Sequence, residues 1–421
     1  MNPPPVTTGS SAHAQHGCGG SALLLEWHAA AARAEGWLRP LAYRVLRWSA
    51  AIGAAALPIS LALGTAALCV ALLAALLCRA PLWRAPGFTL ALAFSAWCLV
   101  SVAATWSGDS LRLSLVYSWL AFPVAYVAFH DRATRTLALR LLAAALGAAA
   151  LLAVVQFTVG FAVGHPPLRI ARDGVRYAWA SGFLNYHLTF GAVAALLLPV
   201  FVAEGRRGLL GGVSAGLAVV LSVARLAYLG VVAGLVCFAT LTAARRGRAF
   251  ALTLLAGAVA CAALALLSPA KLRSAMELRD GRFAIWEVTT TIIDAHPVLG
   301  VGGRKAFERE YSARWPEVVG WRTDLYCYEP AVKHAHHSFL SIAALHGLPA
   351  LGLYLLLLVG LARAARRIRA PDRRAGAAAI AVLVTYVVAG QFNDLAGQGE
   401  TGYAFFIALA LALTGRRAEE G

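Results

Sequence analysis

The sequence predicts an all-α membrane protein of about twelve spanning helices, with one long, partly helical loop outside the membrane. Three observations predict it. Of 421 residues, 60% are hydrophobic and 14% charged, which is more apolar surface than one soluble core can enclose. Apolar runs near the roughly 20 residues that cross a hydrocarbon layer recur from residue 48 to residue 414. The stretch 268–336 breaks that composition, with ten Lys and Arg against nine Asp and Glu.

The chain divides accordingly. Met1 to Ser21 is rich in Pro, Gly, Ser and His and lacks the charged and apolar parts of a signal peptide. Residues 1–47 are expected to form a cytoplasmic, largely disordered segment. Nine spanning helices follow in 48–267, near 48–62, 64–79, 87–105, 110–129, 136–160, 186–203, 208–222, 226–243 and 249–267. Pro58 and Gly64 are expected to turn the first two into a hairpin. The stretch 268–336 reads as a small folded cap, in which Arg282 to Ala295 is a helix ended by His296-Pro297 and the turn Gly300-Val301-Gly302-Gly303. Helices near 337–361, 375–392 and 400–414 complete the membrane part, and 415–421 is a cytoplasmic tail. The runs are continuous and rich in Leu and Ala, which excludes the alternation of barrel strands.

Arginine placement sets orientation. Arg79, Arg84, Arg132, Arg135, Arg206, Arg207, Arg245, Arg246, Arg248, the cluster Arg363 to Arg374, Arg416 and Arg417 fall on one side, which the positive-inside rule makes the cytoplasm. The cap and the loop 161–185 then lie outside. The net charge of +17 is therefore topological, and the aromatic-interleaved basic surface of a nucleic-acid binder is absent. Five of the seven cysteines lie in or beside apolar runs, so neither a disulfide framework nor a zinc pair is expected.

Candidate chemistry gathers on the outer side. Lys333-His334-Ala335-His336-His337-Ser338 stands where the cap enters a spanning helix, and a neutral imidazole there could take a proton from a sugar hydroxyl. A plain interfacial helix cap is the competing reading, and a zinc site lacks a completing ligand pattern. Arg225, in a short outer turn, is a cation at membrane depth, functional by default unless it snorkels. Arg282, one turn before Trp286, offers a fork of donors suited to phosphate oxygens, although a surface ion pair would use the same residue. Arg172 and Arg176, with Arg169, form a basic patch for an anionic lipid or acceptor, and Asn185 and His187 follow as weaker polar candidates. The polar turn Gln391, Asn393, Asp394, Gln398 and Glu400 either orients the histidine or is simply solvated.

These residues resemble the O-antigen ligase family, related to the O-antigen polymerases and the bacterial protein O-oligosaccharyltransferases. The most specific parts are Gly281-Arg282 with Trp286, His296-Pro297-Val298-Leu299-Gly300-Val301-Gly302, His334 to Leu340, and Gly347-Leu348-Pro349-Ala350-Leu351-Gly352. Two departures stand out: Ser338 where the family often has Asn, and His346 where it often has Glu. The resemblance implies a GT-C-like inner-membrane enzyme with its site facing the periplasm and both termini cytoplasmic. It implies an undecaprenyl-diphosphate-linked glycan as donor and lipid A-core as acceptor, with no cofactor or metal. His337 would be the base, with His336 as second choice; Arg225 and Arg282 would hold the diphosphate; and Arg172, Arg176, Asn185 and Trp286 would complete substrate binding. A polymerase or protein O-oligosaccharyltransferase is the alternative within that superfamily. A lipid-linked glycan flippase is the alternative outside it, but the candidates collect at helix ends rather than mid-membrane.

Overall fold

The structure is a computed structural model that describes residues 19–105, 117–159, 180–242, 281–320, 330–369 and 372–415, with backbone alone for 19–37. All its regular elements among these residues are helical. In chain order the α-helices are α1 (Gly19–Ala56), α2 (Leu61–Leu77), α3 (Phe88–Thr105), α4 (Ala121–Phe129), α5 (Arg132–Val159), α6 (His187–Ala203), α7 (Leu209–Ser222), α8 (Arg225–Thr242), α9 (Gly281–Ala295), α10 (Arg304–Val318), α11 (Ser338–Arg369), α12 (Arg373–Ala389) and α13 (Gly399–Leu413).

The first helix begins well before residue 48. Ala42, Leu46 and Ala50 are buried at four-residue spacing, so the stretch ahead of the apolar run has a helix face to pack. Arg47 on the same helix pairs with Asp131 at 2.6 Å, and its Nε donates to Thr134 Oγ1. The expected hairpin forms, with the turn at 57–60 and the Ser60 hydroxyl accepting the Leu63 N–H at the start of α2.

Four described helices, α3, α5, α8 and α11, are long and apolar enough to cross a membrane. The segment expected at 249–267 lies outside the described residues, as does the first part of the one at 110–129. Several of the remaining helices are shorter for a physical reason. In α6 every residue from Thr189 to Phe201 is buried, and in α13 all but Glu400 are. Helices enclosed by other helices face no lipid, so the bilayer does not set their length.

The bundle has two distinct ends. At one, Arg135 reaches Glu204 at 2.5 Å and donates to Leu411 O. Around that pair, Asp372, Arg374 and Gly415 line a cavity of about 90 Å³. Several loops that carry the basic clusters therefore meet there. The described candidates His337, Arg282 and Trp286 lie at the other end, where α9 and α10 form a small second core with Val332, Ala335, Ala344 and Leu345.

The expected single helix at 337–361 is broken. Gly347 has φ 82° and ψ 170°, and Pro349 has no N–H for the Leu345 carbonyl. The turn after α9 fills the break. Val301 N donates to Ala344 O, Gly302 N to Leu345 O, and Leu348 N to Pro297 O, at 2.9, 2.7 and 2.8 Å. From α3, Trp97 Nε1 donates to His346 O at 2.9 Å and Ser101 Oγ to Leu299 O at 2.6 Å. The Ala344, Leu345 and His346 carbonyls and the Leu348 N–H thus have partners across the break, as the interior of a membrane protein requires. Gly300 is needed for the same contact, because a Cβ there would come within 2.4 Å of the Leu345 carbonyl carbon.

Candidate active site

His337 is the residue before α11, and its ring caps that helix: Nδ1 accepts the Leu340 N–H at 3.2 Å. The next residue locks the joint. Ser338 N donates to Gly390 O at 2.7 Å, and its hydroxyl donates to Asn393 O at 3.0 Å and accepts the Leu395 N–H at 2.9 Å. Gly390 lies so close that its Cβ would be 3.0 Å from the Ser338 Oγ, leaving little room for a larger side chain. Ser338 therefore points away from the ring beside it and serves the joint.

The polar turn after α12 is buried rather than solvated. Asn393 and Asp394 are 2% and 1% exposed. Asn393 Oδ1 accepts the Asp394 N–H at 2.9 Å, and Asp394 Oδ1 accepts the Gly397 N–H at 3.0 Å. Gln391 donates from Nε2 to Val387 O at 3.0 Å. Burial pushes the His337 pKa below the ordinary histidine value, while Gln391, the ring's own backbone carbonyl and the Asp394 charge pull it partway back.

From the cap, α9 brings Trp286 edge to face onto His337, with ring centroids 5.4 Å apart, and within 6.4 Å of Phe392. Arg282 stands one helical turn earlier, half-buried in the first turn of α9. Two buried donors here, Trp286 Nε1 and Asn393 Nδ2, have no hydrogen-bond partner among the described residues. Such groups are costly unless something accepts from them.

Arg225 reaches this level along another helix. A Cβ at Gly234 would touch Thr385 and Ala381, and one at Gly230 would touch Thr385 and Ala389, so α8 runs antiparallel to α12. Continuing five residues back, about 7.5 Å, brings Arg225 to the height of the turn at 391–394. The 222–224 turn before it also touches α6, since a Cβ at Gly191 would meet Ser222 Oγ and Ala224 Cβ.

The other candidates separate. His336 has a left-handed φ of 48°, and its ring meets His334 at 4.3 Å rather than His337. His334 Nδ1 accepts the His336 N–H at 3.2 Å. Asn185 is exposed in the turn before α6. Arg172 and Arg176 lie outside the described residues. His346 is buried in the splice, with Nδ1 3.3 Å from Ser101 Oγ, so it serves the break in α11. Gln391, Asn393 and Asp394 were visible in the sequence only as an undecided polar turn. Trp97 and Ser101 carried no signal, being single polar groups in an apolar helix.

Comparison with curated proteins finds no match. Residues 210–355 match the family described as O-Antigen ligase. That stretch runs from α7 through the cap into α11, and it takes in Arg225, Arg282, Trp286, His336, His337 and both glycines of the splice. This segment, which holds the candidate histidine and both candidate arginines, is where the chain is similar to the O-antigen ligase family.

Proposed function

We propose that the protein is an O-antigen ligase, moving a polysaccharide from undecaprenyl diphosphate to a sugar hydroxyl of lipid A-core at the outer face of the inner membrane. The observation that carries this reading is the meeting of His337, Trp286 and the buried turn at 391–394 at the bundle end opposite the basic loops. The donor's lipid tail would lie among the helices, within an architecture of about twelve spans of GT-C type. Its diphosphate would sit at the interface between Arg225 and Arg282. Two permanent positive charges there would stabilise the diphosphate as negative charge develops on it, in the role a divalent cation could otherwise fill. The Trp286 and Asn393 N–H groups would donate to sugar or phosphate oxygens as their missing partners.

In the chemical step the acceptor oxygen bonds the anomeric carbon while the bond from that carbon to the diphosphate oxygen breaks. The electron pair leaves with undecaprenyl diphosphate. The hydroxyl proton passes to the neutral His337 ring, and one such displacement inverts the anomeric configuration. Arg172, Arg176 and Asn185 would serve the acceptor side, and His336 would hold the approach to His337.

Purified protein incubated with lipid-linked donor and lipopolysaccharide core, chelator present, should yield glycan joined to the core. Product formed only when the core is replaced by a second lipid-linked glycan would make the enzyme a polymerase. Translocation of the donor without a new glycosidic bond would make it a flippase.

A further inference from the structure

We infer that the cavity between Arg135 and Arg374, at the basic end of the bundle, binds the phosphate of an anionic phospholipid headgroup from the leaflet on that side. The inference stands apart from the ligase reading, since this end lies opposite His337. The cavity measures about 90 Å³, room for several waters and hence for a phosphate group, but not for a nucleotide. Four charged side chains line it: Arg135 in the first turn of α5, Glu204 just after α6, and Asp372 and Arg374 at the start of α12.

The hydrogen bonds already made in the wall leave donors in excess. The Arg135 side chain is 10% exposed. Its Nε donates to Leu411 O at 3.0 Å and its Nη2 to Glu204 Oε1 at 2.5 Å, which leaves the rest of its five N–H groups. Arg374 packs its guanidinium over Gly205, where a Cβ would stand 3.5 Å from Nη1. Among the described residues Arg374 donates only from its backbone, to Asp372 Oδ1 at 3.0 Å. The carboxylates are each engaged, Glu204 by Arg135 and Asp372 Oδ1 by the N–H groups of Arg374 and Ala375. Two guanidinium forks with donors to spare, one of them fixed by a desolvated ion pair, make a wall that phosphate oxygens complete.

The position along the bundle selects a lipid as the bearer of that phosphate. Val202, Leu209 and Leu210, on either side of the turn that borders the cavity, are 38%, 65% and 63% exposed. Apolar side chains so exposed on a spanning bundle face hydrocarbon, so the cavity opens at the edge of the bilayer. Arg206 and Arg207 in the same turn are exposed and add positive charge at the rim. A basic pocket between spanning helices at that level is where an anionic headgroup binds, whereas the cation of a zwitterionic one would be repelled there.

The test is the thermal midpoint of the purified protein in neutral detergent with phosphatidylglycerol, phosphatidylcholine or inorganic phosphate added. Wild type is compared with Arg374→Ala and with Arg84→Ala, which removes the same charge from a loop that does not line the cavity. Phosphatidylglycerol should raise the midpoint of wild type and Arg84→Ala by about 3 °C or more, and that of Arg374→Ala by about half as much or less. Phosphatidylcholine and millimolar inorganic phosphate should not reproduce the rise. An equal rise in Arg374→Ala would overturn the cavity as the site, and an equal rise with phosphatidylcholine would overturn recognition of an anion. The same rise with inorganic phosphate would overturn the lipid as its source. Should Arg374→Ala fold poorly, Arg374→Gln takes its place, and wild-type protein that retains both lipids equally in native mass spectrometry overturns the inference by itself.

Discussion

A Cβ on Gly347 would lie 1.9 Å from the carbonyl oxygen of Val298. The turn after α9 is thus driven into the break of α11 until only a hydrogen atom fits between them. The contact joins the cap that carries Arg282 and Trp286 to the helix that His337 begins.

Gly347→Ala should therefore be poorly tolerated. It adds a methyl group where none fits and asks alanine to hold φ 82°. A loss of at least about 2 kcal/mol is expected. Thermal unfolding in detergent should show a large drop, and a midpoint within one or two degrees of wild type would contradict the splice.

His337→Ala should insert in the membrane and accumulate glycan on the carrier lipid, with turnover down about 100-fold or more. The helix loses a cap worth about 1 kcal/mol, too little to unfold the bundle. The wild-type pH profile carries a sign. Burial favours the neutral ring, so the folded pKa lies below the unfolded one. Transfer should hold at neutral pH and fall only below the ordinary histidine value of about 6.5. The ring's contribution to stability has the same direction: complete above the unfolded pKa and lost as pH falls through the folded one. An acidic limb above pH of about 7 would refute the assignment.

Arg282→Ala should cut turnover at least about tenfold, as expected for one arm of a phosphate clamp. Arg314→Ala removes the same charge from α10, where Arg314 pairs with Glu310 at 3.2 Å, and should change little. Comparable losses in the two variants would mean that cap charge as a whole matters, not a clamp.

Arg135→Met tests the opposite end. It leaves Glu204, whose side chain is 17% exposed, without its cation, and should cost about 3 kcal/mol. The double variant Arg135→Met with Glu204→Met should recover much of that loss in a thermal scan. Transfer per folded molecule should stay near wild type in both, because the pair lies away from His337. A double variant no more stable than the single one would show that the stranded charge was not the cause.

Much of this was legible in the chain. The Leu- and Ala-rich runs announced helices, the hairpin at Pro58 formed, and Arg282 to Ala295 is the helix its pattern indicated. The histidine at the mouth of α11 was recognisable because an ionisable group at an apolar boundary is costly. The start of α1 was not legible, since its amphipathic face at Ala42 and Leu46 lacks the hydropathy of a span. Nor was the break at Gly347, because glycine and proline inside an apolar run signal a kink without saying what fills it.

By itself the sequence determined that the chain is helical and membrane-embedded, with its basic loops apart from the histidines at 334–337, since hydropathy and charge act through local composition. Only tertiary structure decided that Asn393 and Asp394 are buried, and Gln391 half-buried, in the turn packed on the His337 end of α11 and that Trp286 reaches the ring from the cap. The reason is physical. Burial and hydrogen-bond partners belong to pairs of segments, 390–395 with 337–340 and 286 with 337, and the spacing of residues within either segment carries no record of the other.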